Sequence, residues 1–270
     1  MLLHSNPSPT FAQQSSSEFG FIFDSDSKGW LTGFADLPAG YDQGIYELES
    51  SHRELPGELT GNGIFIQGHN RSDDLFMFLS RQVDGLEPGT AYRVTISVDI
   101  ATNVPTASFG IGGSSGESVY VKAGATAIEP AIERDGQDWL SLTIDKGNQA
   151  REGEDMINLG NVAHPDVADT EYRIKTLNNE ERPFEVTADK GGRLWLIVGT
   201  DSGFEGLTSL YYTGIKYTFD PVVEPPVAPP KVGDYALPGW SLAISMVLGT
   251  SLMLLGLRLW TKRSARPPVR

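Results

Sequence analysis

In the stretch AYRVTISVDI, residues 91–100, Tyr92, Val94, Ile96, Val98 and Ile100 alternate strictly with Ala91, Arg93, Thr95, Ser97 and Asp99. Successive side chains of a strand point to opposite sides, so this period of two predicts a strand with one buried face. LSLTID repeats the pattern with Leu140, Leu142 and Ile144, and SLYYTGIKYTF sets Tyr211, Ile215, Tyr217 and Phe219 on one side. The unbroken apolar runs LFMFL (75–79) and LWLIV (194–198) suit inner strands covered on both faces. No stripe of period 3.6 interrupts these runs before residue 235.

Turn-formers separate the runs: LEPGT (86–90), DKGN (145–148), DKGG (189–192) and the Gly/Ser-rich GIGGSSGES (110–118). Many short strands with such connections predict an all-β domain over residues 20–220, a jelly-roll-like β-sandwich.

The pattern changes near the end of the chain. Between Tyr235 and Leu257 there is no charged residue, and the apolar positions cover every side of a helix. About 20 such residues span a bilayer, so residues 236–260 are expected to form one transmembrane helix. Trp240 and Trp260 mark its two interfaces, Leu248 and Leu255 lie in its apolar body, and Arg258, Lys262 and Arg263 anchor its basic side. Before it, five prolines between Pro221 and Pro230 predict an extended stalk over residues 221–235. Residues 261–270 form a basic tail. Residues 1–19 read as a disordered leader or signal-peptide remnant, with Thr10-Phe11-Ala12 before Gln13 like a cleavage end.

Charge orients this arrangement. The 270-residue chain has 35 Asp plus Glu, 21 Lys plus Arg and a net charge of −14. Every acid precedes Tyr235, whereas Arg258, Lys262, Arg263, Arg266 and Arg270 follow it. The positive-inside bias then puts the tail in the cytoplasm and the acidic domain outside, in a bacterial envelope or at its surface. So acidic a domain repels phosphates, which excludes nucleic acid as a partner. Cysteine is absent, so no disulfide framework exists and zinc sites lose their commonest ligand.

The candidate chemistry is sparse. His4, His52, His69 and His164 are scattered with no metal-binding spacing, and GGSSG lacks the strand-to-helix setting of a nucleophile elbow. Asp24 and Asp26 in FDSDSKGW could begin a calcium site, so structural calcium is the one cofactor considered. Asn70-Arg71-Ser72 fits a glycosylation sequon. Exposed aromatics stack on sugar rings, which makes Trp30 and Trp139 candidate platforms, while Trp195 sits in an apolar run and reads as core. Asp201 and Glu205 in GTDSGFEG are candidate ligand-binding acids, with a structural turn the stronger expectation. The acids of REGEDM (151–156) read as a solvated loop. These residues point to a non-enzymatic role in binding carbohydrate or matrix, or a structural one at the surface. The alternative is a glycan-active enzyme working through carboxylates.

Three resemblances add to this reading. The three-part ending, with Val223-Glu224-Pro225-Pro226, a hydrophobic helix and a basic cluster, resembles the C-terminal sorting tags of the PEP-CTERM type. That likeness implies a sorting protease as a partner beside the lipid bilayer. FDSDSKGWLTGFADLP and LEPGTAYRVTISVDI resemble strands of galactose-binding-like and carbohydrate-binding-module sandwiches. HNRSDDLFMFL, VYVKAGA, DKGNQ and LWLIVGTDSGFEG are similar to stretches of exported bacterial β-sandwich proteins with no assigned activity. These likenesses imply a β-sandwich with polysaccharide or envelope proteins as partners.

Overall fold

The computed structural model describes residues 15–168 and 170–223. The expected membrane helix and basic tail, with Trp240, Leu248, Leu255, Arg258, Trp260, Lys262 and Arg263, lie outside the described residues, as do the stalk beyond residue 223 and the leader before residue 15. Among the described residues no helix is long and apolar enough to cross a membrane.

The strands are β1 (Ser17–Ile22), β2 (Leu31–Ala35), β3 (Leu37–Pro38), β4 (Glu49–Glu54), β5 (Asn62–His69), β6 (Leu75–Val83), β7 (Ala91–Thr102) and β8 (Val119–Thr126). They continue as β9 (Ile132–Arg134), β10 (Trp139–Leu142), β11 (Met156–Asn161), β12 (Arg173–Asn178), β13 (Phe184–Thr187), β14 (Leu194–Ser202) and β15 (Leu207–Pro221). A single helical turn, α1 (Gln43–Tyr46), is capped by the Asp42 side chain, which accepts from the Gly44 N–H.

One sheet runs β12-β7-β15-β5-β4, with β1 also beside β15 and β13 beside β7; the other runs β11-β8-β14-β6-β2. A small third sheet has the order β3-β10-β9. Eight strands, β5 to β8 with β11, β12, β14 and β15, pass between the two large sheets in the order of a jelly roll. The domain is therefore an all-β sandwich.

The period-two reading of β7 holds residue by residue: Tyr92, Val94, Ile96, Val98 and Ile100 are buried, and Arg93 is exposed. They meet Leu75, Met77 and Leu79 of β6 and Leu194, Leu196 and Val198 of β14 in one core between the sheets. Tyr217 ties the layers, since its hydroxyl donates to Ile197 O at 2.8 Å with Gly124 O at 3.0 Å. The runs LFMFL and LWLIV are covered on both faces, except at Trp195, which was expected in the core and is only half-buried on the outer side, because the outer face of β6 and β14 carries a second core. There Phe76, Phe78 and Ile197 pack with Ala35, Leu142, Ile144 and Met156.

One sequence expectation fails within β15. Tyr211 does not share a face with Ile215, Tyr217 and Phe219. The register of β15 against β7 shifts between Tyr212 and Gly214, so the extra residue of a β-bulge inverts the alternation. Leu210 and Tyr212 face the central core, and Tyr211 turns outward onto Phe65 and Ala101.

The packing of β7 gives a direct test. Ile96→Ala deletes buried methyl groups and should cost about 2–5 kcal/mol, whereas Thr95→Ala on the other face should cost under about 1 kcal/mol. Urea unfolding of the two variants checks this; equal midpoints would show the face assignment to be wrong.

Candidate functional site

The outer face of the β11-β8-β14-β6-β2 sheet bears a polar cleft of about 490 Å³. Asp36 follows β2, and Ser72, Asp73 and Asp74 lead into β6. Asp135, Gln137, Trp139 and Ser141 come from the β9–β10 hairpin, and Asn148 and Gln149 come from the loop after it. Four non-glycine residues at or beside the cleft hold a left-handed backbone: Asp36 (φ 62°), Asp73 (φ 68°), Asp138 (φ 70°) and Gln149 (φ 48°). Such conformations are disfavoured for side chains with a Cβ and gather where the surroundings over-determine them.

Trp139 forms the one aromatic wall and is half-buried. Its strand pairs with Pro38, and its backbone N–H donates to Asp135 Oδ1 at 2.9 Å. Opposite, Asn148 Nδ2 donates to Asp74 Oδ2 at 2.7 Å and Gln149 Nε2 to the Asp73 carbonyl at 3.1 Å. The loop carrying Asn148 and Gln149 is pinched closed. Gly147 has φ +71°, and a Cβ there would lie 2.2 Å from the Arg151 carbonyl, so only glycine fits.

Beneath the cleft lies a cluster of buried charge. Asp201 is on β14 with its side chain 0% exposed, and its Oδ2 accepts from Lys122 Nζ at 2.9 Å, Lys146 Nζ at 2.8 Å and the Gln149 N–H at 2.9 Å. Lys146 Nζ also lies 2.8 Å from Asp36 Oδ2. Lys122 Nζ donates further to the Lys146 and Arg151 carbonyls, at 2.7 and 2.8 Å. The carboxylates of Asp36, Asp74 and Asp201 approach within 4.8 Å, a spacing a metal ion could use. The Lys146 ammonium, paired to Asp36 and Asp201, already supplies a cation there.

This cluster holds three acids against two lysines, and the odd acid is Asp74. Burial first, then the negative charge of Asp201, push its carboxyl up to about 8. Burial also raises Asp36 against the pull of Lys146. Burial alone would raise Asp201 too, but Lys146 and Lys122 outweigh it and hold that carboxylate below its usual range. With Asp74 protonated, the remaining two acids and two ammonium groups balance.

Of the four residues read from sequence as ligand contacts, two come together here: Trp139 on the wall and Asp201 under the floor. The turn expected at Asp201 is a strand end, and its carboxylate is buried. Trp30 has no face toward solvent; it is 4% exposed and packs edge-on against Phe21 and Phe23. Glu205 is exposed on the β14–β15 connection and lines none of the cleft. Asp24 and Asp26 are also exposed, and Asp26 is spent on the Lys28 N–H and ammonium. They join no group of three acids or histidines at metal-binding spacing among the described residues. Asn70 of the sequon is buried and donates to the Ser202 carbonyl at 2.8 Å, so a glycan has no room there. In REGEDM, Glu152 pairs with Arg182 and Asp155 accepts from the Asp145 N–H, which are structural roles. Asp36, Asp74, Lys122, Lys146 and Gln149 complete the site and were not singled out by sequence.

No protein-family model matches the chain, and no curated protein matches it. Among solved structures it is similar to the enzymatically active domain of a bacteriophage CBA120 tailspike protein, at 11% identity and a TM-score of 0.33 over 74% of this chain and 20% of that one. It is also similar to a carbohydrate-binding module of the β-sandwich superfamily, at 13% identity and 0.37, over 73% of this chain and 60% of that one. A family 11 carbohydrate-binding module from Clostridium thermocellum gives 13% and 0.34, over 74% and 94%. The chain thus spans a fifth of the first structure and three fifths of the second. Superpositions this loose share strands and little more, and the class of the domain rests on its own two sheets.

The proton on Asp74 has a measurable consequence. The folded value near 8 lies above the ordinary 3.8, so between these values the native state holds a proton that the unfolded chain has lost. The stability this group contributes is full below pH 3.8 and is lost as pH rises toward about 8, by at most ~1.4 kcal/mol per pH unit. Urea midpoints between pH 5 and 8 should therefore fall less steeply for Asp74→Asn than for the native chain. Parallel pH profiles would show that Asp74 is ionised in the fold.

Proposed function

We propose that the domain binds a neutral polysaccharide in the Trp139 cleft and does not hydrolyse it. The observation that carries this reading is a single half-buried indole set in a cleft otherwise walled by carboxylates, amides and two serine hydroxyls. A pyranose presents the matching chemistry. Its C–H face packs on an aromatic ring, and its hydroxyls donate to carboxylates and accept from amide N–H groups. Asp135, Asp73 and the amides of Gln137, Asn148 and Gln149 border the indole and would fix the orientation. Uronates or sulfated glycans would be repelled by the same acids.

Binding is favoured over hydrolysis by the state of the buried acids. A glycosidase places two carboxyl groups across an open gap of about 5–9.5 Å. Here Asp36, Asp74 and Asp201 crowd within 4.8 Å, and two lysines are bonded to Asp201. The exported, membrane-anchored setting extends the proposal: the apolar run after Tyr235 and its five basic followers support a domain outside the cytoplasm, tethered by its C-terminus, with a sorting protease as a partner.

Affinity electrophoresis against neutral polysaccharides tests the binding. Trp139→Ala should lose retardation at least tenfold in apparent affinity while its melting temperature stays close to the native value. Retention that survives this change, or release of reducing sugar that Asp74→Asn abolishes, would overturn the reading. Topology is tested separately. Protease added to intact spheroplasts should digest residues 20–220 and spare an epitope placed after Arg270, and the reverse pattern would sink the anchored orientation.

A further inference from the structure

We propose that Lys122 and Asp201 join through an intramolecular isopeptide bond, formed by the fold itself with Asp74 as the proton carrier. The bond would be a covalent staple between β8 and β14, and it stands or falls independently of any ligand in the cleft above.

Contact and dryness come first. Lys122 Nζ is 2.9 Å from Asp201 Oδ2, and both side chains are 0% exposed. Two groups held at contact in one geometry react as if at very high concentration, and exclusion of water removes the reagent that would reverse an amide. The strands fix this approach. Gly199 faces Lys122 and Asp201 faces Tyr120 across the β8–β14 ladder, so the lysine reaches diagonally to a partner two residues along.

The surroundings of Nζ aim it. The Lys146 and Arg151 carbonyls accept from it at 2.7 and 2.8 Å. A neutral amine has two N–H bonds to give these carbonyls, and its lone pair is left pointing at Asp201. Burial lowers the Lys122 ammonium toward that neutral form, whereas the Asp201 and Asp36 carboxylates oppose burial at Lys146 and keep it charged.

The two oxygens of Asp201 differ in the way acyl transfer needs. Oδ2 faces the Lys146 ammonium and the Gln149 N–H at 2.8 and 2.9 Å, as in an oxyanion hole. Oδ1 is buried with no hydrogen-bond donor, as is Oδ1 of Asp74, and the two carboxyl groups have oxygens within 4.8 Å of one another. A proton on Asp74 is therefore available to the side of Asp201 away from the hole.

The step balances without any co-reactant. One proton passes from the Lys122 ammonium to Asp201 Oδ1, giving amine and carboxylic acid. The Nζ lone pair forms the Nζ–Cγ bond while the carbonyl pair moves onto Oδ2. Asp74 gives its proton to the Oδ1 hydroxyl, the Cγ–Oδ1 bond breaks as water leaves and the carbonyl re-forms, and Asp74 recovers a proton from Nζ. The products are one amide and one water, and nothing is oxidised or reduced.

Intact mass spectrometry of the full chain tests this against Lys122→Arg prepared identically. The native chain should be lighter than its sequence by one water and the variant should not, and tryptic digestion should yield a branched peptide joining Lys122 to Asp201. Asp74→Asn keeps both reacting groups and should unfold cooperatively yet show the full mass. A native chain of full sequence mass would overturn the proposal. So would a water loss that persists in Lys122→Arg and is cleaved by hydroxylamine, which marks a cyclised aspartate. Crosslinking that survives in Asp74→Asn would remove Asp74 from the reaction.

Discussion

The outer half of this domain is organised, as it folds, around the Asp201 carboxylate, which is buried with no access to water. A buried charge costs several kcal/mol unless it is paired and hydrogen-bonded, and three donors converge on one of its oxygens: Lys122 from the neighbouring strand, and Lys146 and the Gln149 N–H from the loop after β10. Satisfying the charge thus draws that loop down onto the sheet. Lys122 completes the tether through the Lys146 and Arg151 carbonyls. Residues 142–156 then cover Phe76, Phe78 and Ile197, and the β9–β10 hairpin is left where Trp139 stands over Asp36 and Asp74. Electrostatics inside the sheet therefore sets the shape of the cleft outside it.

The division of labour between scaffold and loops follows from the same arrangement. The sandwich core is apolar and continuous, with Tyr217 bridging the two sheets. The site stands on this rigid base, but its lining side chains come from segments whose backbone is strained at Asp36, Asp73, Asp138 and Gln149. Strain of about 1–3 kcal/mol per residue persists only where neighbours enforce it. At this cleft the enforcing contacts are the ion pairs below and hydrogen bonds such as Asn148 to Asp74 and Gln149 to Asp73. Hydrogen bonds and ion pairs are strengthened by the low dielectric around such buried groups, which holds these side chains in one geometry.

The strands were legible in the sequence because burial of one or both faces writes itself directly into side-chain type. β7 shows its alternation, and β6 and β14 show unbroken apolar runs. Tyr211 misled because a bulge is a backbone event; nothing in SLYYTGIKYTF marks the inserted residue except a glycine one position on. Trp30 misled for another reason, since it follows a polar turn and only the fold brings Phe21 and Phe23 around its ring. The charge cluster was hidden most deeply. Its members sit at 36, 74, 122, 146 and 201, each in a stretch where a lone charge reads as solvated. Lys122 occupies the outward slot of VYVKAGA, where lysine normally meets water, and only the loop folded over that slot makes it interior. Trp139 could be named as a candidate, but which acids would face it could not.

The placement of the last two strands bears on how the chain can be made. β14 lies between β6 and β8, and β15 lies between β5 and β7 while also carrying β1. Both sheets are therefore zipped shut from their centres by residues 194–221, the final stretch of the domain. A nascent chain that has not yet reached Leu194 holds β5, β6, β7 and β8 with open edges and no partner to close them. Unpaired edges of this kind recruit other chains, and long-range pairing is slow to form. Neither sheet can accordingly close before residues 194–221 are available, and the last strands of the domain decide when its first ones gain their second neighbours.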